Sequence, residues 1–188
     1  LVALSRALIG RIRGGLAQVN VLVSMFFAGM NGSVVADTAT VGALVLPAMK
    51  KAGYPAAFSA AVTGVSSTIG GIIPPSIMMI VLANATEISI AALFAAGIVP
   101  GILIGVVIMV INHYFAVKYN FERSDQPFSV RRAGKELYRS SFALLIPLVL
   151  VGSVMGGVAS VVEAGAITAL VALFTGVFVY RTIKWKDC

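Results

Sequence analysis

Two clusters of small polar residues carry the chemistry this sequence can offer. The first is Asn31-Gly32-Ser33, followed by Asp37 and Thr38. The second is Ser66-Ser67-Thr68, which runs into Gly70-Gly71-Ile72-Ile73-Pro74-Pro75-Ser76. Hydroxyls and the carbonyls of interrupted helices are hard oxygen donors, suited to a small, hard cation. A half-helix N-terminus turns the positive end of its dipole to an anion, while half-helix C-termini and unwound carbonyls face a cation. Thiol and imidazole chemistry has little to draw on. Cys188 is the single cysteine, and His113, in an apolar run near a basic end, is the single histidine. An intramembrane hydrolase needs a nucleophile with its base, or a pair of aspartates. Asp37 has no second aspartate in an apolar run, so the chain is not read as an enzyme, and no cofactor is expected.

Blander readings exist for most of these residues. Ser66 to Thr68 also suit a close helix contact, as do the pairs Gly101/Gly105 and Gly152/Gly156. Packing does not explain Gly70 to Ser76, because helices can pack closely without being interrupted. Asp37 is either a helix cap or an ionisable group with a structural or coupling role inside an apolar segment. Glu163 opens a helix, where its charge complements the dipole. Glu87 reads as a solvated residue at an interface.

The elements that hold these clusters lie in lipid. Of 188 residues, 59% are hydrophobic and 11% charged, with a mean hydropathy of +1.00. That excess is too large for a water-facing surface. The net charge of +7 would suggest nucleic acid in a soluble protein. Here the cations fall between apolar runs: Arg6, Arg11 and Arg13; Lys50 and Lys51; Lys118 to Arg139; Arg181, Lys184 and Lys186. That is the pattern of the cytoplasmic ends of membrane helices, and nucleic acid is excluded as a partner. The chain opens on Leu1 with no signal-peptide pattern and reads as a piece of a longer protein.

Residues 1–15 read as the end of a helix and a basic turn, and 16–51 as two short apolar arms about Asn31-Gly32-Ser33. At about 1.5 Å per residue an arm of this kind is roughly 24 Å long, short of the ~30 Å hydrocarbon core. Two full crossings remain an alternative, but short arms favour a re-entrant hairpin entered from the cytoplasm. Residues 52–88 form a crossing that the Gly-Gly and Pro-Pro pairs must break into two half-helices. Residues 89–117 form a further crossing, 118–140 a basic cytoplasmic arm interrupted at Asp125-Gln126-Pro127, and 141–188 two last crossings. With the hairpin returning to its own side, all 14 Lys and Arg residues fall on the cytoplasmic face. The expected fold is an all-α, polytopic membrane protein with a re-entrant hairpin and a discontinuous transmembrane helix.

Three motifs then match one family. GMNGSVVADTATVGALVLPAMKKAGY (29–54) resembles the G-x-S-G-S-A-x-A-D-x-A-A-x-G pattern, with its later P-x-M-x-x-x-G-Y, of the large membrane subunit of TRAP transporters, the DctM-like family. STIGGIIPPSI (67–77) is similar to that family's S-x-I-G-P-I-I-P-P-S, with Gly71 where proline is usual, and LFAAGIVPG (93–101) to its L-F-x-A-G-I-x-P-G. The chain departs at VASVVEAG (158–165), where Ser160, Val161 and Val162 replace Thr, Pro and Thr while Glu163 and Ala164 match.

The resemblance implies an elevator-type secondary transporter of the bacterial inner membrane, built from inverted repeats. It implies import of dicarboxylates or sugar acids by sodium symport, with a small membrane subunit and a periplasmic substrate-binding protein as partners. This chain would hold the first repeat's hairpin and broken helix and the start of the second repeat. The site expected is a sodium ion, the coupling ion, held where Asn31, Gly32 and Ser33 meet Thr68, Gly70, Pro74 and Ser76. Asn31, Ser33, Ser67 and Pro75 would lie nearest the substrate. The rival reading is an uncoupled channel or facilitator, which would lack a saturable sodium dependence.

Overall fold

The computed structural model describes residues 1–9, 12–121 and 130–179. Arg11, the break expected at Asp125-Gln126-Pro127 and the basic exit through Arg181, Lys184 and Lys186 lie outside the described residues. Within them the elements are helical: α1 (Val2–Ile9), α2 (Gly15–Asn31), α3 (Val34–Lys51), α4 (Ala56–Ser67), α5 (Ile77–Thr86), α6 (Ile90–Lys118), α7 (Val130–Met155) and α8 (Val161–Phe174). A 3-10 turn, Thr68–Gly71, continues α4, and a π-helical turn, Thr175–Val179, continues α8.

The hairpin of α2 and α3 forms the centre. Ala17, Val19, Val21, Val23 and Ala28 of α2 are buried together with Val41, Val45 and Met49 of α3, Val62 of α4 and Ile69. α2 is enclosed by α1, α3, α4, α6 and α7, which explains why its apolar residues show no single stripe. α6 behaves differently. It has 29 residues, enough at about 1.5 Å each to exceed the ~30 Å hydrocarbon core. One side carries exposed Val99, Leu103, Val106 and Val110. The opposite side buries Gly97, Gly101 and Gly105, four residues apart and therefore one above the other.

Those glycines let α6 approach the broken crossing and the hairpin. A Cβ on Gly97 would lie 2.5 Å from the Ile72 carbonyl oxygen, one on Gly101 would collide with the Ile73 side chain, and one on Gly105 would meet Met25 Sδ at 2.6 Å. The Gly101/Gly105 contact expected from sequence is thus present. A Cβ on Gly152 would meet no described residue outside its own stretch of helix within 4 Å.

α7 begins at Val130 and runs without interruption past residue 140, where the sequence suggested an arm ending and a crossing beginning. Its first turns are polar and its later turns apolar, and a helix tolerates both without a change of backbone. The stretch Ala133–Met155 is, like α6, long and apolar enough to span a bilayer. Just past the base of the hairpin, Tyr54 and Phe58 meet rings at and beyond α6's end in tilted and edge-on contacts: Tyr54–Phe121 centroids are 4.8 Å apart, Phe58–Phe121 5.0 Å and Phe58–Phe115 6.2 Å. α8 starts in a capping box, in which the Glu163 carboxylate accepts from Ser160 N–H at 2.8 Å and Ser160 Oγ accepts from Glu163 N–H at 3.3 Å. Glu163 therefore serves the helix terminus, as its position suggested.

The close contacts of α6 rank its glycines. Gly97→Ala is expected to destabilise the full-length protein by about 1–3 kcal/mol, because a backbone carbonyl cannot move aside. Gly105→Ala should cost less, since Met25 can change rotamer. Gly64→Ala in α4, with no described neighbour within 4 Å, should be neutral or stabilising by about 0.5–1 kcal/mol. Thermal unfolding in detergent would check the order.

Candidate functional site

The hairpin turn is made by two residues with opposite demands. Gly32 takes φ 59° and ψ 16°, a left-handed conformation, and its N–H closes α2 on the Ala28 carbonyl at 3.1 Å. Ser33 is extended, at φ −128° and ψ 119°, and its Oγ accepts the Ala36 N–H at 3.4 Å to begin α3. The cap is therefore Ser33, and the capping alternative for Asp37 is set aside.

The break in the crossing has an equally local cause. α4 tightens into the 3-10 turn, where the N–H groups of Ile72 and Ile73 both reach the Ile69 carbonyl at 2.9 Å. Pro74 and Pro75 then offer no donor. Ser76 ends the interruption: its Oγ donates to the Gly71 carbonyl at 2.8 Å and accepts the Met79 N–H at 3.4 Å, which starts α5.

These two interruptions meet. The Ile77 N–H, the first of α5, donates to the Gly32 carbonyl at 3.1 Å. Gly32 lies so close to the Pro75 carbonyl that a Cβ would collide with it. Gly70 rests on the backbone of Ser33, with 3.6 Å between its Cβ position and the Ser33 carbonyl oxygen. Gly29 comes within 3.9 Å of the Pro74 carbonyl oxygen by the same measure. Gly32, Ser33, Gly70, Pro75 and Ser76 thus converge, with Pro74 beside the arm that leads to the turn and Asn31 as its last helical residue. Thr68 and Ser67 point elsewhere. The Thr68 hydroxyl is exposed and donates to the Val65 carbonyl at 2.7 Å. Ser67 is fully buried and lies beside Asp37.

Asp37 is itself fully buried on the first turn of α3, and its N–H donates to the Ser33 carbonyl at 2.9 Å. Its carboxyl sits near the hydroxyls of Ser24 and Ser67, yet neither carboxyl oxygen, nor Ser67 Oγ, completes a well-aligned hydrogen bond among the described residues. An ionisable group kept this way inside an apolar domain is costly.

Ser66 belongs to a second polar set whose other members, Asn20, Ser24 and Thr63, escaped the sequence reading. Asn20 Nδ2 donates to Thr63 Oγ1 at 2.7 Å, and its Oδ1 accepts from Ser66 Oγ at 3.2 Å. Ser66 Oγ lies 3.1 Å from Ser24 Oγ. The spacing Asn20/Ser24 on one helix and Thr63/Ser66 on another was the available signal. Among the described residues no three His, Cys, Asp or Glu side chains group to hold a metal.

All 188 residues match the family model described as the tripartite ATP-independent periplasmic transporter, DctM component. The chain belongs to this family. It is 37% identical over its whole length to the C4-dicarboxylate TRAP transporter large permease protein DctM of Pseudomonas aeruginosa, of which it covers 44%. It is 34% identical to the sialic acid TRAP transporter large permease protein SiaM of Vibrio cholerae, with 95% of this chain and 42% of the relative aligned. It is 36% identical to the 2,3-diketo-L-gulonate TRAP transporter large permease protein YiaN of Escherichia coli, with 98% and 43% aligned. The chain therefore spans less than half the length of these curated relatives. The relatives are named transporter permeases rather than enzymes, and the TRAP family is membrane-embedded.

Two substitutions test the geometry. Gly32→Ala should be among the costliest single changes in the hairpin, because left-handed backbone and contact with Pro75 penalise the added methyl together; a loss of about 2 kcal/mol or more in thermal stability is expected. Asp37→Asn keeps the shape and removes the buried carboxyl. It should leave stability equal or raise it by about 1–3 kcal/mol, while transport by the full-length permease falls. Loss of both stability and transport would instead mark Asp37 as a structural residue.

Proposed function

We infer that this chain is the portion of a TRAP large permease that carries a coupling-ion site, in a secondary transporter importing carboxylates by sodium symport. The observation that carries the reading is the mating of two interrupted helices: the hairpin turn Asn31-Gly32-Ser33 and the break Gly70 to Ser76, joined by the Ile77 N–H to Gly32 carbonyl bond of 3.1 Å. Two helix termini, α2's C-terminus and α5's N-terminus, face one another there. The first supplies carbonyls to a cation and the second an amide-rich positive end to an anion.

In this reading Asn31, Gly32, Ser33, Gly70, Pro74 and Ser76 surround sodium with hard oxygens, and Thr68 contributes through its backbone, its hydroxyl being engaged by Val65. Asn31, Ser33 and Pro75 lie on the side where a carboxylate would approach, while Ser67 acts through Asp37. The hairpin is re-entrant from the cytoplasm, in keeping with Lys50 and Lys51 at its return and the aromatic belt at its base. The permease is multi-pass in the bacterial inner membrane and works with a small membrane subunit and a periplasmic substrate-binding protein, as an elevator. The organic acids in the relatives' names, C4-dicarboxylate, sialic acid and 2,3-diketo-L-gulonate, support an acidic substrate.

The test is uptake by the full-length permease with its partners in proteoliposomes, measured against sodium concentration. Wild-type uptake should saturate with sodium; a linear, sodium-indifferent flux would favour the uncoupled channel. Ser33→Ala should raise the sodium concentration for half-maximal uptake several-fold. Replacing Pro74 and Pro75 together with Ala lets the break approach a continuous helix, each regained bond contributing about 0.5–1.5 kcal/mol. That variant is expected to be at least as heat-stable as wild type and to lose sodium coupling. Normal sodium dependence in it would remove the break from the ion site.

A further inference from the structure

The geometry points to Asn20 as the positioning residue of the hairpin site: its carboxamide fixes the register in which α2 lies on α4, and so the register in which the turn meets the break. This rests on the proposed function for its effect on sodium, but not for its effect on the backbone.

Asn20 is fully buried in α2 and touches both neighbouring arms. Its Nδ2 donates to Thr63 Oγ1 of α4 at 2.7 Å and lies 3.6 Å from Met49 Sδ of α3. Its Oδ1 accepts from Ser66 Oγ of α4 at 3.2 Å. The Thr63 hydroxyl in turn donates to the Ser59 carbonyl at 2.9 Å, which leaves its oxygen free to accept. With Ser66 donating to Asn20, the Ser24 hydroxyl supplies the donor of the 3.1 Å Ser24–Ser66 pair. Ser66 Oγ also lies 3.1 Å from the Thr63 carbonyl, so its one proton is shared between that oxygen and Asn20, and when it points to Asn20 the bonds run from Ser24 through Ser66, Asn20 and Thr63 to Ser59, each polarising the next. Ser24 also lies beside Asp37, whose N–H holds the Ser33 carbonyl at 2.9 Å. The network therefore starts beside the first turn of α3 and extends down the shared face of α2 and α4.

Stability alone does not account for this arrangement. Side-chain hydrogen bonds between helices of a membrane protein add little net stability each, and apolar residues at these positions would fill the same space. What apolar side chains lack is direction. They allow one helix to slide or turn on another at little cost, whereas a buried Asn accepts one register, the role a lone buried Asn plays in coiled coils. Register matters here because the turn has no slack: Gly32 already touches the Pro75 carbonyl, and Gly70 the Ser33 backbone.

The experiment uses the full-length permease. Asn20→Leu and, separately, Thr63→Val with Ser66→Ala remove the same bonds from opposite sides. In each variant, hydrogen exchange of the peptide containing the Ile77 amide should quicken by about fivefold or more, the effect of weakening one hydrogen bond, while exchange in α6 stays as in wild type. The sodium concentration for half-maximal uptake should rise, with maximal rate per folded molecule little changed. Combining the variants should add nothing further. Wild-type exchange at Ile77 in both variants, or faster exchange spread evenly over α4 and α6, would overturn the assignment and leave Asn20 as general packing. If wild-type uptake proves indifferent to sodium, the sodium reading fails, and the exchange measurement still decides the role of Asn20. Should Asn20→Leu not fold, Thr63→Val alone carries the same test.

Discussion

A helix that stops away from water leaves its last carbonyls and first amides without partners, and in lipid each such group is expensive. This domain stops helices twice in one place, and each interruption supplies what the other lacks. The Gly32 carbonyl at the end of α2 receives the Ile77 N–H at the start of α5. Much of the remaining architecture keeps this meeting possible. Gly32 must be glycine, because its backbone is left-handed and its Cα side faces the Pro75 carbonyl. Gly70 packs against Ser33, where a methyl would reach ordinary contact at 3.6 Å. Gly97 and Gly101 bring α6 against Ile72 and Ile73, closing the break from behind. None of these contacts requires a charged side chain, so the site is built from backbone geometry.

The residues that interrupt helices were the most legible in the sequence. A Gly-Ser pair between two short apolar arms and a Gly-Gly…Pro-Pro run leave few backbone options, and the structure turns and breaks there. Less legible was which of Ser33 and Asp37 caps α3. Both residue types cap helices, and only the backbone, extended at Ser33, decides between them. The continuity of α7 across residue 140 was hidden because a change from polar to apolar composition resembles a boundary, although nothing in it stops a helix. Thr68 was grouped with its neighbours by sequence adjacency, but in a tightening helix adjacent residues face different ways, and its hydroxyl turns back to Val65. Asn20, Ser24 and Thr63 gave almost no signal: single polar residues in apolar runs acquire meaning only when two helices bring them together.

Asp37 joins these levels. It is buried among hydroxyls, its backbone is part of the turn, and its side chain borders the network that orders α2 on α4. Its carboxyl therefore lies between the turn and the face on which α2 packs against α4.

The ring cluster of Tyr54, Phe58, Phe115 and Phe121 has a mechanical meaning for the hairpin. A rod clamped at one end swings, and its free end travels furthest. A rod held at both ends can only bow, and its ends travel least. The hairpin is held just past its base by tilted and edge-on ring contacts, with centroids 4.8–6.2 Å apart, and at its tip by a backbone bond, so it is the second kind of rod. With both ends held, its tip is the part least free to lift away from the break.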